Sequence, residues 1–235
     1  MFQEYAFDLI EEIQEQITNN LSIQYDTGIA GIGTGFEYLL QNGFMEADDD
    51  FFEELDASMN HMVMYESYAD LSLEAGLTGW GRYFIYRLRG NHILNRKLHT
   101  PLKYITNTII HRIENNSVSI NEMPDVFRFF HDLIKLPEYR EEYTTSLQQC
   151  REWECIHNPD LQNILPYLDK LNRLYISQNY FNLDLTNEIK SEWIKWEESD
   201  KGTLTDTGLL KGWASKGMLH LTFFHGVDNS WLNIL

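Results

Sequence analysis

The sequence predicts an all-α protein built from repeated helical hairpins. Apolar residues recur at intervals of three and four along most of the chain, convincing strand alternation is absent, and one glycine pattern returns where successive apolar helices begin. With 235 residues, 43% of them hydrophobic and 14% aromatic, the chain can bury one sizeable core. We therefore expect a single folded domain over residues 1–235.

The first helices alternate between an amphipathic outer type and an apolar inner type. Phe2 to Ile17 is predicted as an amphipathic helix, and Ile29 to Leu40 is apolar nearly all round. Phe51 to Met64 is a second, more mixed helix, and Leu77 to Leu88 is a second apolar one. An outer helix followed by an inner helix is therefore the predicted unit.

Six further segments have helical periodicity, and several carry proline near the first turn, where its missing N–H costs little. These segments are Pro101 to Ile113, Met123 to Ile134, Pro137 to Glu152, Leu161 to Ile176, Leu185 to Trp196 and Leu209 to Phe224. Two short apolar stretches, 118–120 and the C-terminal LNIL, are too short to assign.

Glycine triplets mark the predicted starts of the inner helices. The segments GIAGIGTGFEYLL and GLTGWGRYFIYRL lie 48 residues apart and carry glycine at the same three offsets. The triplets are Gly28, Gly31 and Gly33, and Gly76, Gly79 and Gly81. A third copy, GWASKGMLHL, has Gly212, Ser215 and Gly217 at those offsets.

Glycine at a loop-to-helix junction can adopt positive φ and lets neighbouring backbones approach closely. Helix starts that converge on one axis would offer free N–H groups and positive dipole ends to an anionic or carbonyl group. Close packing without any ligand is the alternative explanation. A dinucleotide-binding fingerprint is excluded, because that motif follows a β-strand and a helix precedes this one.

Acidic residues dominate the first third of the chain. Residues 1–81 contain seventeen Asp or Glu and no Lys or Arg, and the first base is Arg82. The net charge of −18 disfavours nucleic acid as a partner, because its phosphates are also anionic. The acidic region is either a solvated surface or a docking surface for a cationic partner.

No apolar run is long enough to span a bilayer, and the acidic N-terminus is unlike a secretory signal. We therefore expect a cytoplasmic protein without membrane insertion. Cys150 and Cys155 are only five positions apart, and we interpret them as reduced thiols.

The segments GIAGIGTGFEYLLQNGF, SLEAGLTGWGRYFIYRL and GLLKGWASKGMLHLTFF, followed by SWLNIL, together resemble the lanthionine synthetase C-like family. The resemblance covers residues 1–90 and 205–235. It implies an α/α toroid, a double ring of helical hairpins whose inner helices start at the glycine motifs. About five hairpins fit this chain, fewer than in the family, so a reduced ring, an open arc and a chain lacking an N-terminal repeat all stay open.

Enzymes of this family bind zinc through a Trp-Cys-Tyr-Gly-like segment and a Cys-His-Gly segment, and the zinc activates a peptide thiolate for thioether formation. Neither segment occurs here. The resemblance therefore implies a protein of bacterial peptide maturation without zinc-dependent cyclase activity and without a cofactor. Its partner would be a precursor peptide, and a cationic one would suit the acidic region if that region is a docking surface.

The residues implied to bind that peptide lie at the helix starts, with core packing as the alternative role of the two tryptophans. They are Gly28, Gly31, Gly33, Gly76, Gly79, Trp80, Gly81, Arg82, Gly212 and Trp213.

Two other functions stay open. Cys150, Cys155 and His157 could form a rearranged zinc site of an active cyclase, although helix positions five apart point about 140° away from each other. The spacing of His220 and His225 gives no reason to add them to such a site. The second function is glycoside hydrolysis by paired carboxylates, but no pair of acids stands out by an apolar environment.

Overall fold

The computed structural model describes residues 12, 22–47, 51–65, 70–90, 96–119, 121–164, 171, 174, 178, 184–199 and 213–227. Within these ranges, the side chains of 96, 151, 153–164 and 213–216 are not described. All regular secondary structure in this part of the chain is helical, which confirms the all-α prediction. None of the described helices combines the length and apolar content needed to cross a bilayer.

The described residues contain eight extended helices, which we number in chain order. They are α1 Ile29–Gln41, α2 Glu53–Tyr65, α3 Leu77–Arg89, α4 Arg96–Glu114, α5 Met123–Leu133, α6 Pro137–Ile164, α7 Thr186–Ser199 and α8 Trp213–His225. The predicted first helix, Phe2 to Ile17, lies outside the described residues except for Glu12, which is helical. The chain divides into two compact units, Met1–Arg112 and Ile113–Leu235.

In the first unit, α1 and α3 pack side by side and run parallel. Gly33 of α1 faces the Tyr83 ring of α3, and one turn later Glu37 pairs with Arg87, so contacts follow the same order along both helices. The first turn of α2 carries Asp56, which pairs with Arg87 near the end of α3. Helix α2 therefore begins where the inner helices end and returns the chain to the start of α3.

Two helices extend beyond their predicted bounds, and each contains an internal proline. Helix α4 begins at Arg96, so Pro101 is in its second turn rather than at its start. Helix α6 continues from Pro137 to Ile164, through the predicted break between Glu152 and Leu161. The intrinsic cost of an internal proline, Pro101 in α4 and Pro159 in α6, is thus outweighed by the remaining helix.

In the second unit, α5 packs against α6. A capping box precedes α5: the Glu122 N–H donates to Ser119 Oγ at 3.3 Å, and the Ser119 N–H donates to Glu122 Oε2 at 2.8 Å. The buried side of α6 repeats every three or four residues, as one helical stripe requires. Its described apolar members are Tyr139, Tyr143, Leu147 and Cys150, and Ser146 is buried beside them.

A separate apolar cluster in the second unit joins α7 and α8. Trp193 and Trp196 of α7 meet edge to face, with 5.3 Å between ring centroids, and Leu219 of α8 is fully buried beside them. Ile189 and Leu171 complete the cluster.

Candidate functional site

The loops that lead into α1 and α3 have the same backbone hydrogen bond at equivalent positions. The Ile29 N–H donates to Ser22 O at 2.8 Å, and 48 residues later the Leu77 N–H donates to Asp70 O at 3.3 Å. In both cases the first helical N–H is satisfied by a carbonyl seven residues earlier. The 48-residue sequence repeat is therefore also a repeat of local structure.

Glycine is needed in these units because the loop backbone lies directly against the helix. A Cβ added at Gly31 would overlap Tyr25 O, and a Cβ at the equivalent Gly79 would overlap Leu73 O. The same added atom at Gly79 would also lie 2.8 Å from Tyr25 Cβ, in the neighbouring repeat. Close backbone approach, one of the two reasons predicted for these glycines, is confirmed.

The other reason, a left-handed backbone, is wrong for the residues that precede the two helices. Gly28 has φ −139° and Gly76 has φ −104°, both in the extended region open to any residue. Positive φ occurs instead at Gly43 and Gly226, which follow α1 and α8. In the described residues, glycine thus provides the positive φ needed where these helices end. Where the inner helices begin, it is the missing side chain of glycine that matters.

The two loops are also joined to each other. Glu74 O accepts hydrogen bonds from the Tyr25 N–H at 2.8 Å and from the Asp26 N–H at 3.3 Å. Asp26 and Glu74 occupy equivalent positions in the repeat, and both side chains are exposed. The junction where the inner helices begin therefore presents one acid from each repeat to solvent, and we call these two residues the acidic loop edge.

The predicted ligand-binding side chains of α3 lie in the interior. Trp80 is 4% exposed and Arg82 is 1% exposed, with the Arg82 guanidinium 5.4 Å from the centre of the Tyr25 ring. The structure thus brings Arg82 to Tyr25 of the first loop, while Gly28, Gly31, Gly76 and Gly79 lie against the backbone of the two loops.

The third glycine copy is only partly described. Gly212 lies outside the described residues, and Trp213 begins α8 with a side chain that is not described. Gly217 is exposed, and a Cβ added there would have no neighbour within 4 Å. Among the described residues, Gly217 therefore lacks the close approach seen at Gly33.

Sequence reasoning missed a buried ionic cluster that joins α1, α2 and α3 of the first unit. Arg87 Nε donates to Asp56 Oδ1 at 3.0 Å and Nη2 donates to Asp56 Oδ2 at 2.9 Å, while Nη1 donates to Glu37 Oε2 at 2.5 Å. The exposed fractions of Arg87, Glu37 and Asp56 are 3%, 1% and 9%. We call Arg87, Glu37 and Asp56 the ionic cluster.

Neighbouring groups complete the hydrogen bonding of the ionic cluster. The Tyr83 hydroxyl donates to Asp56 Oδ1 at 2.5 Å, and Gln41 Nε2 donates to Glu37 Oε1 at 3.0 Å and to Tyr86 O at 2.9 Å. The Arg87 guanidinium lies over the Phe52 ring, 3.7 Å from its centre. Each of α1, α2 and α3 thus contributes at least one residue to the hydrogen bonds of the cluster.

The electrostatics of the cluster follow from this packing. Burial raises the pKa of Tyr83 well above its ordinary value, and the negative charge of Asp56 raises it further, whereas Arg87 opposes the change. Burial lowers the pKa of Arg87, but its hydrogen bonds and charge attraction to Asp56, with the hydrogen bond to Glu37, more than reverse this effect and raise the pKa. Arg87 is therefore always charged, and Tyr83 stays a hydrogen-bond donor.

A sequence signal for the cluster did exist. Glu37 is an acid within an otherwise apolar helix, and acids are rarely fully buried unless they are paired. That rule predicts a cationic partner from another element, but it gives no reason to choose Arg87 over Arg82 or Arg89.

The described residues contain no group of three or more His, Cys, Asp or Glu side chains arranged to hold a metal ion. Cys150 is a buried thiol on α6 and is not in a disulfide, whereas the side chains of Cys155 and His157 are outside the described part. Glu37 and Asp56 are two buried carboxylates, but both accept hydrogen bonds from Arg87, so the ionic cluster is a structural pairing rather than an acid and base pair.

Comparisons of the chain with protein-family models, with curated proteins and with solved structures each returned no match.

Proposed function

We propose that this chain is a lanthionine synthetase C-like protein of the bacterial cytoplasm that binds a precursor peptide through a cationic segment and does not form thioethers. The observation that carries the proposal is the joined pair of loops, in which the Tyr25 and Asp26 N–H groups donate to Glu74 O. This junction holds the acidic loop edge at the common start of two parallel helices. Asp26 and Glu74 are exposed at equivalent positions of two joined loops, which suits a partner with more than one basic residue.

The charge around this edge supports a cationic partner. No Lys or Arg occurs before Arg82, and of the first two bases, Arg82 is 1% exposed and Arg87 is paired inside the ionic cluster. These positive charges face the interior, so they compensate the exposed acids of the loops poorly. The field outside the loops is therefore negative, and it would attract basic peptides within a Debye length of about 10 Å.

The expected strength of this attraction is modest. A single exposed ion pair contributes about 0.2–1 kcal/mol, so Asp26 and Glu74 alone cannot give tight binding. Charges of this kind mainly raise the association rate and make binding depend on salt. We therefore expect weak, salt-sensitive binding to the acidic loop edge, with specificity supplied by other contacts.

The test compares a lysine-rich peptide with a peptide of the same length in which glutamate replaces lysine. Binding is measured by fluorescence anisotropy at low and high salt, with the unmodified chain and with a double variant, Asp26→Asn and Glu74→Gln. We expect the lysine-rich peptide alone to bind, the affinity to fall with salt, and the double variant to bind several-fold more weakly.

A matched control removes two exposed acids elsewhere, Glu138→Gln and Glu141→Gln on α6. This control variant should bind the lysine-rich peptide as the unmodified chain does. Equal loss in both variants would mean that only net charge matters, and equal binding of both peptides would reject a cationic partner. Incubation with a dehydrated, cysteine-containing peptide should leave its thiol free, and ring formation would contradict the absence of cyclase activity.

A further inference from the structure

His220 and His225, at the end of α8, bring their imidazole rings together. The ring centroids are 5.2 Å apart and the ring planes are inclined by 44°. His220 is half-buried and His225 is exposed, so the pair is open to solvent on one side. Neither residue belongs to the loops or the ionic cluster of the first unit.

The His220 ring is held by aromatic neighbours. Its centroid lies 5.3 Å from that of Trp193 on α7 and 5.1 Å from that of Phe224, while Trp193 and Phe224 are 5.6 Å apart. Trp193 is only 4% exposed because it is part of the apolar cluster between α7 and α8. This packing limits the rotamers of His220 and so reduces the entropy that ligand binding would cost.

The turn after α8 fixes the position of His225. Gly226 has φ +63°, the left-handed conformation that commonly ends helices, and the Val227 N–H donates to Leu221 O at 3.2 Å. His225 is the last residue of the helix, so its exposed ring can reach back toward His220.

The spacing of the two rings matches that of two imidazoles on one metal ion. A metal 2.0–2.1 Å from an imidazole nitrogen lies about 3.2 Å from the ring centre, so two adjacent ligands have centres about 4.5–5.2 Å apart for square-planar to tetrahedral angles. The observed separation of 5.2 Å falls at the tetrahedral end of this range. We propose that His220 and His225 bind a late divalent transition-metal ion, such as Ni²⁺, Cu²⁺, Co²⁺ or Zn²⁺.

Two neutral imidazoles determine the class of ion and the type of site. Imidazole suits copper, nickel and zinc, whereas Mg²⁺ and Ca²⁺ prefer oxygen ligands. No third His, Cys, Asp or Glu of the described residues joins the pair, so within this part of the chain the remaining coordination positions are open to water or an incoming ligand. This is the arrangement of an open, exchangeable site rather than a closed structural one.

The experiment is calorimetric titration of the untagged full chain with Ni²⁺, followed by Co²⁺ spectroscopy. We expect one ion per chain and visible Co²⁺ bands without the intense near-ultraviolet absorption of thiolate ligands. His225→Ala removes an exposed ligand, and His220→Phe keeps an aromatic ring in the packed position. Each variant should weaken Ni²⁺ binding about tenfold or more, since each removes one of two ligands.

His61→Ala is the matched control, because His61 is an exposed histidine beside an aromatic ring, Tyr65, in the other unit. Its Ni²⁺ affinity should equal that of the unmodified chain. Absence of binding, unchanged binding in both His220→Phe and His225→Ala, or thiolate absorption from Co²⁺ would each overturn the proposal. The last result would assign the ion to Cys150 or Cys155 instead.

Discussion

Arg87 binds Asp56 through one edge of its guanidinium, where Nε and Nη2 donate hydrogen bonds of 3.0 and 2.9 Å to a residue 31 positions earlier. This two-point contact, together with the bond to Glu37, fixes α2 against both inner helices of the first unit. Bidentate pairing requires the planar fork of arginine, which lysine lacks.

Arg87→Met should destabilise the chain strongly, because it leaves Glu37 and Asp56 buried without their cation. Breaking a buried pair in this way costs about 3–5 kcal/mol. Arg87→Lys should recover only part of the loss. The free energy of unfolding is measured by urea titration with circular dichroism.

Arg89→Met is the control for Arg87→Met, since Arg89 is half-buried on the same helix and lies over Tyr86. It should cost about 1 kcal/mol or less. Equal losses of unfolding free energy in Arg87→Met and Arg89→Met would show that the ionic cluster adds no stability of its own. A triple variant with apolar residues at 37, 56 and 87 should be more stable than Arg87→Met alone, because no unpaired charge is left buried.

Gly79→Ala should destabilise the first unit by about 1–3 kcal/mol, the usual cost of overpacking. The added methyl group would overlap Leu73 O and approach Tyr25 Cβ to 2.8 Å, and backbone cannot move aside as a flexible side chain can.

Gly35→Ala in α1 is the paired control, because an added Cβ there has no neighbour within 4 Å. That change should stabilise the chain by about 0.5–1 kcal/mol. Thermal unfolding curves of the two variants should shift in opposite directions, and a parallel shift would refute the role given to the repeat glycines.

Ser119→Ala should cost about 0.5–2 kcal/mol, because it removes the acceptor for the Glu122 N–H at the start of α5. Ser119→Asp, which keeps a capping oxygen, should retain most of the stability. Urea midpoints for both variants give the comparison. Ser58, an exposed serine beyond the first turn of α2, should tolerate alanine. If Ser119→Ala matches Ser58→Ala, the capping box contributes nothing measurable.

Stability should fall as the pH rises above about 10, the usual pKa of tyrosine in an unfolded chain. Burial, aided by Glu142, raises the pKa of Tyr143 to about 12, and burial also raises the pKa of Tyr139 and of Tyr83. Between pH 10 and 12 the folded state keeps protons that the unfolded state has lost, so the stabilisation present below pH 10 disappears across this range.

Phenolate absorbance at 295 nm, recorded with circular dichroism, tests this pH dependence. We expect the exposed tyrosines to ionise first and the buried ones to ionise at higher pH, together with unfolding of the chain. One titration of all thirteen tyrosines near pH 10, with the helices intact, would contradict it.

The inner helices could be predicted closely because their signals are local. The glycine triplets and apolar runs predict helices beginning at Ile29 and Leu77, and α1 and α3 begin at those residues. The residues that pair over long distances in the sequence could not be identified in this way. Glu37 and Arg87 are 50 residues apart, and their pairing depends on the relative rotation of two helices, which no periodicity of one segment fixes.

The end of α8 shows why a rule of helix geometry needs the side chains. His220 and His225 are five positions apart, a spacing that places Cβ atoms about 140° apart around a helix. Their rings nevertheless meet, because imidazoles are long and His225 is the last residue of the helix. The rule holds for Cβ directions and fails for extended side chains at a helix end.

The hydrogen bonds from Tyr25 and Asp26 to Glu74 O also bear on how the first unit folds. They connect two neighbouring repeats, so each repeat gains stability from the other, as in proteins built from stacked repeats. The backbone donors of one loop are satisfied by the adjacent loop, so the two repeats should fold in a single cooperative step. A cut between residues 47 and 51 would therefore unravel both halves rather than release one intact hairpin.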